Sequence, residues 1–110
     1  MTPTLRVRLY GLDSLLASEL KSALSRLPVE LSNEDPDVVF CAVERPVFEE
    51  ARRRFPRCPI VVVSRLPEVS AWLDALDGGA ADYCGAPFEP AHLSWMFRNL
   101  IAMPPRAAAA

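Results

Sequence analysis

The amino-acid sequence predicts an α/β fold with a parallel sheet. Short apolar segments with the character of strands alternate along the chain with longer segments in which apolar residues recur at helical spacing. Two of the strand-like segments are continuous apolar runs, which is typical of strands covered by helices on both faces. Alternation of this kind indicates parallel strands joined by right-handed crossovers. The 110 residues have the usual size of one domain.

The first strand and the first helix are both predicted to be amphipathic. The strand residues alternate between an apolar face, with Leu5, Val7 and Leu9, and a polar face, with Arg6, Arg8 and Tyr10. The helix predicted from Ser14 to Leu27 has one apolar stripe. Asp13 or Ser14 is available to cap its N-terminus, and Pro28 stops it.

The later strands and helices continue the alternation. Strands are predicted at residues 38–43, 59–64 and 80–84. Helices are predicted from Pro46, over 68–76 and from Pro90, since proline is favoured in the first turn of a helix. The apolar residues predicted to share one face of the helix over 68–76 are Val69, Trp72, Leu73 and Leu76. Gly78 or Gly79 is predicted to end that helix.

Charged residues in the helix from Pro46 have the spacing of ion pairs. Glu49 with Arg53, and Glu50 with Arg54, are four residues apart. We therefore predict a solvated helix face here. The alternative is a nucleic-acid interface built on residues 52–57, which these acidic residues and the net charge of −2 disfavour.

The composition describes an ordinary globular protein. Apolar residues make up 51% of the chain and charged residues 24%, which gives no electrostatic reason to expect nucleic acid or a membrane as partner. The longest aliphatic run, at residues 60–63, is far too short to cross a bilayer, and the first residues contain no apolar signal segment. We expect a cytoplasmic protein.

The cysteine and histidine content indicates neither a metal site nor a disulfide framework. Cys41, Cys58 and Cys84 are widely spaced, without a CxxC motif, and His92 is the only histidine. Cys41 and Cys84 lie in apolar strand patterns, where a free cysteine serves as a small hydrophobic residue. We expect no metal and no cofactor.

The domain is predicted to span residues 1–102. Two prolines, an arginine and four alanines follow at the end of the chain. Residues 103–110 are therefore predicted to form a tail or the start of a linker.

Three segments together resemble the receiver domain of bacterial two-component response regulators, which includes CheY. They are Pro36-Asp37-Val38-Val39-Phe40-Cys41-Ala42, Pro59-Ile60-Val61-Val62-Val63-Ser64, and Gly79-Ala80-Ala81-Asp82-Tyr83-Cys84-Gly85-Ala86-Pro87-Phe88. The resemblance runs from about Val7 to Ile101, and the third segment is its most specific part. It implies a flavodoxin-like, CheY-like three-layer sandwich with a central parallel sheet, which places ligands at the carboxyl ends of its strands.

The residues that perform phosphorylation in that family are replaced here. The resemblance places the phosphoacceptor aspartate at Ala42, the metal-binding acidic pair at Gly11 and Leu12, and the lysine at Ala86. No catalytic residue of the family remains, and without carboxylates Mg²⁺ has no charged ligands at this edge. The resemblance thus implies a degenerate form, a pseudo-receiver, that does not autophosphorylate. We interpret Asp13 as a helix cap rather than a relocated phosphoacceptor.

Three further positions keep the family's residue types. Ser64 matches the hydroxyl residue that senses the phosphoryl group, and Tyr83 matches the aromatic residue that switches with it. Two interpretations of Tyr83 stay open: a retained switch, or an aromatic residue that packs at the sheet edge. The resemblance also implies a cis peptide bond before Pro87, an isomer that proline readily adopts.

The resemblance breaks down between the second and third strands. The family has a helix there, whereas Val29-Glu30-Leu31 is followed within a few residues by Pro36. Because parallel crossovers need a dozen or more residues, we expect residues 29–31 to be a short irregular edge segment or absent from the sheet, and not an ordinary parallel strand. The first strand then lies near an open edge. Arg6 and Arg8 either protect that edge or mark a docking or dimer surface.

A second interaction surface is predicted on the last helix. Trp95 falls outside the apolar stripe, beside His92 and Arg98. The family often dimerises or binds partners through its fourth helix, fifth strand and fifth helix, and tryptophan is enriched at binding hot spots. The alternative is a ring that lies flat on its own helix.

These observations favour a response-regulator-like signalling domain that is not an enzyme. We expect it to act as a phosphorylation-independent protein–protein interaction module, with protein partners or a second copy of itself. The alternative is a small flavodoxin-like enzyme or ligand-binding domain of unknown substrate. The turn at residues 11–14 argues against nucleotide binding, because it has no glycine-rich phosphate cradle.

Overall fold

The computed structural model describes residues 5–65 and 69–102. The predicted tail at 103–110, and Glu68 at the predicted start of the third helix, lie outside these ranges. Within them, the chain forms five strands and four helices, with a helix after every strand except the second. The order is β1 (Leu5–Tyr10), α1 (Ser14–Leu24), β2 (Val29–Leu31), β3 (Val38–Ala42), α2 (Arg45–Arg54), β4 (Ile60–Ser64), α3 (Val69–Asp77), β5 (Asp82–Gly85) and α4 (Pro90–Ala102).

The five strands form one parallel sheet in the order β2-β1-β3-β4-β5. Each inner strand pairs with its neighbour in regular register, for example Leu9 with Phe40 and Phe40 with Val61. The predicted flavodoxin-like α/β fold is therefore confirmed.

The sheet separates two hydrophobic cores. The first core lies between the sheet and helices α1 and α4, and its largest fully buried side chains include Leu20, Phe40, Leu93 and Met96. The second core lies against α2 and α3, and includes Val39, Phe48, Ala51, Val62 and Ala75. Successive residues of a strand point to opposite faces, so Leu5, Val7 and Leu9 join the first core while Tyr10 packs against the second.

The helix boundaries differ from prediction by a few residues. α1 ends at Leu24 rather than Leu27, because Arg26 and Leu27 donate to carbonyls three residues back and tighten the chain before Pro28. In α3, Leu73 is 53% exposed whereas Ala75 is buried, so the predicted apolar face was wrong at Leu73. Gly79, with φ of 105°, provides the left-handed stop.

The predicted ion pairs on α2 are not formed. In the described part of the chain, no carboxylate of Glu49 or Glu50 lies within 4 Å of Arg53 or Arg54. Glu50 instead accepts a hydrogen bond from the Tyr10 hydroxyl at 2.5 Å, and the Arg54 guanidinium lies over the rings of Tyr10 and Phe55. Aromatic contacts across elements replace the pairing within the helix.

Strand β2 is a short edge strand, and it is parallel. It pairs with the first half of β1, Leu5 with Val29 and Val7 with Leu31, whereas β3 pairs with the second half from Val7 onward. Thus β2 ends at the level where β3 begins, and residues 32–37 only have to cross β1. The expectation that this segment could not be an ordinary parallel strand was wrong, because no return along the sheet is needed. No helix lies between β2 and β3, as predicted.

Candidate functional site

The residues that the family resemblance singles out follow the ends of four strands. Gly11 and Leu12 follow β1, Ala42 ends β3, Ser64 ends β4 and Ala86 follows β5. Because all strands are parallel, these positions lie along the carboxyl edge of the sheet, where α/β folds place their ligands.

Gly11 is built tightly against α2. Its φ of 71° lies in the left-handed region, and a Cβ atom placed on it would come within 2.5 Å of Val47 Cγ1. An L-residue with a side chain is therefore disfavoured here by both backbone conformation and space.

The other replaced positions are packed with apolar side chains. Ala42 is 5% exposed, and Leu12 and Ala86 pack against the first core. The amide of Ala86 donates to the Ser64 carbonyl oxygen at 2.9 Å, which ties the segment after β5 to β4. The Ala86–Pro87 peptide bond is cis, the isomer that the resemblance implies. Over residues 5–65 and 69–102, no group of three or more His, Cys, Asp or Glu side chains could hold a metal ion.

Asp13 caps α1 and binds an arginine from the loop after β4. Its Oδ1 accepts a hydrogen bond from the Leu16 amide at 2.8 Å, and Arg65 Nη2 lies 3.2 Å from the same oxygen. Arg65 also contacts Glu19 of α1 at 3.4 Å. The cap was predicted, but Arg65 was not. The only signal for it was its position directly after Ser64, which brings it to the edge where Asp13 lies.

Tyr83 is half-buried on β5 and packs against the second core. Its hydroxyl group is buried, and no described atom accepts or donates a hydrogen bond to it. Ser64 ends the neighbouring strand, where it pairs with Gly85. The buried phenol is the one place along β5 where a polar group is left unsatisfied among the described residues.

Burial keeps the thiols protonated. Desolvation, with a smaller effect of Glu44, raises the pKa of Cys41 to about 12, and desolvation with Asp82 nearby raises the pKa of Cys84 to about 11. Desolvation, then Asp37 and Asp35, also raises the pKa of Cys58, whose Sγ lies 3.0 Å from the Pro36 carbonyl oxygen. None of the three is suited to act as a nucleophile.

The predicted interaction residues lie on two separate surfaces. Arg6 and Arg8 lie on β1, on the face of the sheet that carries the second core, whereas Trp95 and Arg98 lie on α4, which covers the opposite face. Trp95 is 53% exposed, and its ring stacks on that of His92 with centroids 6.1 Å apart.

A groove of about 500 Å³ runs between α2 and the last turns of α3. Its floor is apolar and its rim carries charges of both signs. The lining residues include Val43, Phe48, Val62, Arg45, Glu49, Arg52, Asp74 and Asp77. Arg52 spans the groove and donates a hydrogen bond to the Gly78 carbonyl oxygen. This groove was not predicted, because it depends on how far apart two helices lie.

None of the helices in the described ranges is long and apolar enough to cross a membrane.

Comparison with protein-family models, and with curated proteins by sequence, found no match. Solved structures do match. A putative response regulator from Chloroflexus aurantiacus J-10-fl superposes with a TM-score of 0.76 at 20% identity, covering 92% of this chain and 100% of that one. A response regulator from Thermotoga maritima gives 0.76 at 19% identity, with coverage of 92% and 100%.

A third match is an orphan response regulator of H. pylori, with a TM-score of 0.65 at 18% identity over 89% of this chain and 99% of that one. Matches at these identities establish the fold. The chain therefore has the fold of the response regulator receiver domains.

Proposed function

We propose that this chain is a pseudo-receiver, a signalling domain that acts through contacts with other proteins and does not depend on phosphorylation. One observation carries the proposal: at the carboxyl edge of a receiver fold, the positions that the family uses for chemistry hold Gly11, Leu12, Ala42 and Ala86. Phosphoryl transfer relies on metal ions and positioned cations, and none of these residues can supply a ligand or a charge.

The packing at this edge supports the proposal further. The Val47 side chain occupies the space next to Gly11, so a carboxylate could not be added there without displacing that side chain. The carboxylate of Asp13 is already engaged by the Leu16 amide and by Arg65. The positions used for chemistry in the family are thus occupied here by packed or hydrogen-bonded groups, as expected of a domain retained for its shape.

Mass measurement after incubation with acetyl phosphate and Mg²⁺ tests this proposal. We expect no phosphoryl adduct on this chain, whereas a receiver domain with its aspartate intact, treated in the same way, acquires one. A stable phosphoprotein would refute the pseudo-receiver assignment and would identify a different acceptor.

The partner surface belongs to the same proposal. Leu73 on α3 and Trp95 on α4 are both 53% exposed, and these helices flank the edge strand β5. Large exposed apolar side chains are common at binding hot spots. We propose that this α3–β5–α4 surface binds a protein partner or a second copy of the chain.

Light scattering on the wild type and on Trp95→Ala separates the two occupants. A dimer that Trp95→Ala dissociates identifies a homodimer interface. A monomer in both proteins leaves this surface to a different partner, for which immobilised wild type and Trp95→Ala are compared in a pull-down from native lysate.

Ser64 and Tyr83 are proposed as remnants of a switch. The Tyr83 hydroxyl is buried without a hydrogen-bond partner, and it has lost its hydration. This raises the free energy of the conformation in which the hydroxyl is buried. A second position in which the hydroxyl reaches water or a partner is therefore within reach. A cytoplasmic location, and a domain that extends to residue 102, complete the proposal.

The groove between α2 and α3 favours a second candidate, a ligand-binding domain. Its volume of about 500 Å³ falls in the range of small-molecule sites. A screen of small metabolites by thermal shift, repeated on Arg52→Ala, tests it. A ligand whose stabilisation is lost in the variant would support this candidate over the protein-interaction proposal.

A further inference from the structure

The polar face of β1 is only partly covered where the connection from β2 to β3 lacks a helix. The side chains of Arg6, Arg8 and Tyr10 point to the face on which α2 packs against β3 and β4, while only residues 32–37 pass across β1 there. Arg6 pairs with Glu30 at 3.6 Å. We call the remaining part of this surface, formed by Arg8, Tyr10 and Arg54, the arginine face.

Two guanidinium groups lie over one aromatic ring on the arginine face. The Cζ atoms of Arg8 and Arg54 lie 5.8 Å and 5.7 Å from the centroid of the Tyr10 ring. The ring is held in place by the hydrogen bond from its hydroxyl to Glu50 and by an edge contact with Phe55 at 5.8 Å. The two cations therefore lie on a fixed aromatic platform contributed by a strand and a helix.

Neither guanidinium has a carboxylate partner in the described part of the chain. Arg8 donates to the neutral Asn33 Oδ1 at 2.5 Å, and its buried Nε has no hydrogen-bond acceptor. Arg54 makes only the ring contacts. Two neighbouring carboxylates accept hydrogen bonds from other groups: Asp37 accepts from the Arg6 amide, and Glu50 accepts from the Tyr10 hydroxyl. The Nη2 group of Arg8 and the guanidinium of Arg54 have no described acceptor, and they are available to bind an anion.

We propose that the arginine face binds an acidic segment of a partner protein, with carboxylates on Arg8 and Arg54. Arginine forks pair with carboxylates through two hydrogen bonds, which makes these contacts strong and directional. A chain that carries several carboxylates offers one to each of the two guanidinium groups over the Tyr10 ring. This inference rests on the proposed function as an interaction domain, but it concerns a surface other than α3–β5–α4.

Fluorescence anisotropy with fluorescein-labelled hexaglutamate tests the inference, with hexaglutamine as the neutral control. At low salt, about 50 mM so that screening is limited, the wild type should bind hexaglutamate and not hexaglutamine. Arg8→Gln and Arg54→Gln should each weaken binding by about fivefold or more, the effect of losing a charge-assisted contact. Arg53→Gln, an exposed arginine next to Arg54 without described contacts, should change binding by less than about twofold.

Arg54→Gln keeps the test independent of folding, because Arg54 is exposed while Arg8 is half-buried. Equal binding by wild type and Arg54→Gln, or equal losses in Arg53→Gln and Arg54→Gln, would overturn the inference. Displacement of the probe by submillimolar inorganic phosphate would overturn it in favour of a small-anion site. A dimer that Arg54→Gln dissociates would overturn it in favour of a second copy.

These outcomes are separate from those for the proposed function. If the chain does not become phosphorylated and binds a partner through Trp95, but does not bind hexaglutamate, only this inference is refuted. A phosphorylated chain refutes the pseudo-receiver proposal whether or not the arginine face binds the probe.

Discussion

At the scale of single residues, Gly11 shows how backbone conformation and packing restrict the residue type at the carboxyl edge of the sheet. Its positive φ and its contact distance to Val47 mean that glycine is required by conformation and by packing together. A residue that looks like a simple loss in the sequence is therefore part of the local structure.

Replacing Gly11 with alanine should lower the free energy of unfolding by about 1–3 kcal/mol, because the new Cβ is strained in backbone and crowded by Val47. Chemical denaturation measures this. In a Val47→Ala background the steric part is relieved, so the same substitution should cost less, about 1 kcal/mol from the backbone alone. An equal cost in both backgrounds would show that Val47 does not crowd the site.

A substitution at Tyr83 is predicted to stabilise the fold, in contrast to the substitution at Gly11. Tyr83→Phe removes a buried hydroxyl that has no described hydrogen-bond partner, so it should raise the free energy of unfolding by about 1 kcal/mol. Tyr10→Phe is the matched control, since the Tyr10 hydroxyl donates to Glu50 and its loss should destabilise slightly. A destabilised Tyr83→Phe variant would mean that the hydroxyl is satisfied in solution.

The thiols should differ in accessibility. Cys41 and Cys84 are 0% and 3% exposed, whereas Cys58 is half-buried, so under native conditions a thiol reagent should modify Cys58 first. All three should react after unfolding. A Cys58→Ala variant that still reacts rapidly in the native state would contradict the buried positions of the other two.

The raised thiol pKa values also give a sign for the pH dependence. The folded protein keeps the protons of Cys41 and Cys84 at a pH where the unfolded chain, with a thiol pKa of 9.0, loses them. Stability contributed by these thiols is present below that pH and declines as the pH rises toward about 11 for Cys84 and about 12 for Cys41. In Cys84→Ala the decline should be less steep.

At the scale of elements, the first helix depends on Asp13 for its start. Asp13→Ala should lower the free energy of unfolding by about 1 kcal/mol, because the Leu16 amide loses its acceptor. Asp13→Asn retains an acceptor and loses only the exposed ion pair with Arg65, so it should cost less than about 1 kcal/mol. Equal losses in the two variants, measured by thermal or chemical denaturation, would assign the effect to Arg65 instead of the cap.

Elements whose signal is local were predictable, and those that depend on neighbours were not. β3 and β4 were predicted to within one residue because a continuous apolar run identifies a strand covered on both faces. The three residues of β2 carry no such signal. Their place in the sheet follows from an offset register on β1, which allows six residues, 32–37, to join two parallel strands. The Glu50–Arg54 pair expected on α2 failed for the same reason, since Tyr10 from β1 contacts both residues.

At the scale of the whole molecule, the site was predictable as a set of positions and not as a set of contacts. Parallel strands bring Gly11, Ala42, Ser64 and Ala86 to one edge, which the order of elements implied. The pairing of Asp13 with Arg65 and the packing of Val47 on Gly11 join residues far apart in the chain. Such contacts depend on the distances between finished elements, which periodicity does not contain.

The sheet also makes the stability of the two faces interdependent. Both cores are built on the same sheet, so neither can unfold without exposing apolar strand residues such as Phe40 or Val39 of the other face. Loss of the first core should therefore unfold the second in the same transition. Leu20→Ala provides the perturbation, because Leu20 is 0% exposed in the first core and its truncation should cost about 3 kcal/mol.

The two tryptophans allow each face to be followed separately. Trp95 lies on α4, which covers the first core, and Trp72 lies on α3, which covers the second. Single-tryptophan variants, Trp72→Phe and Trp95→Phe, should show the same denaturation midpoint for Leu20→Ala as circular dichroism does. If the tryptophan on α3 reported a transition at higher denaturant than the one on α4, the second core would fold without the first and the sheet would not couple the two faces. Coincident midpoints would show that a change at either surface, the arginine face or α3–β5–α4, acts on one cooperative unit.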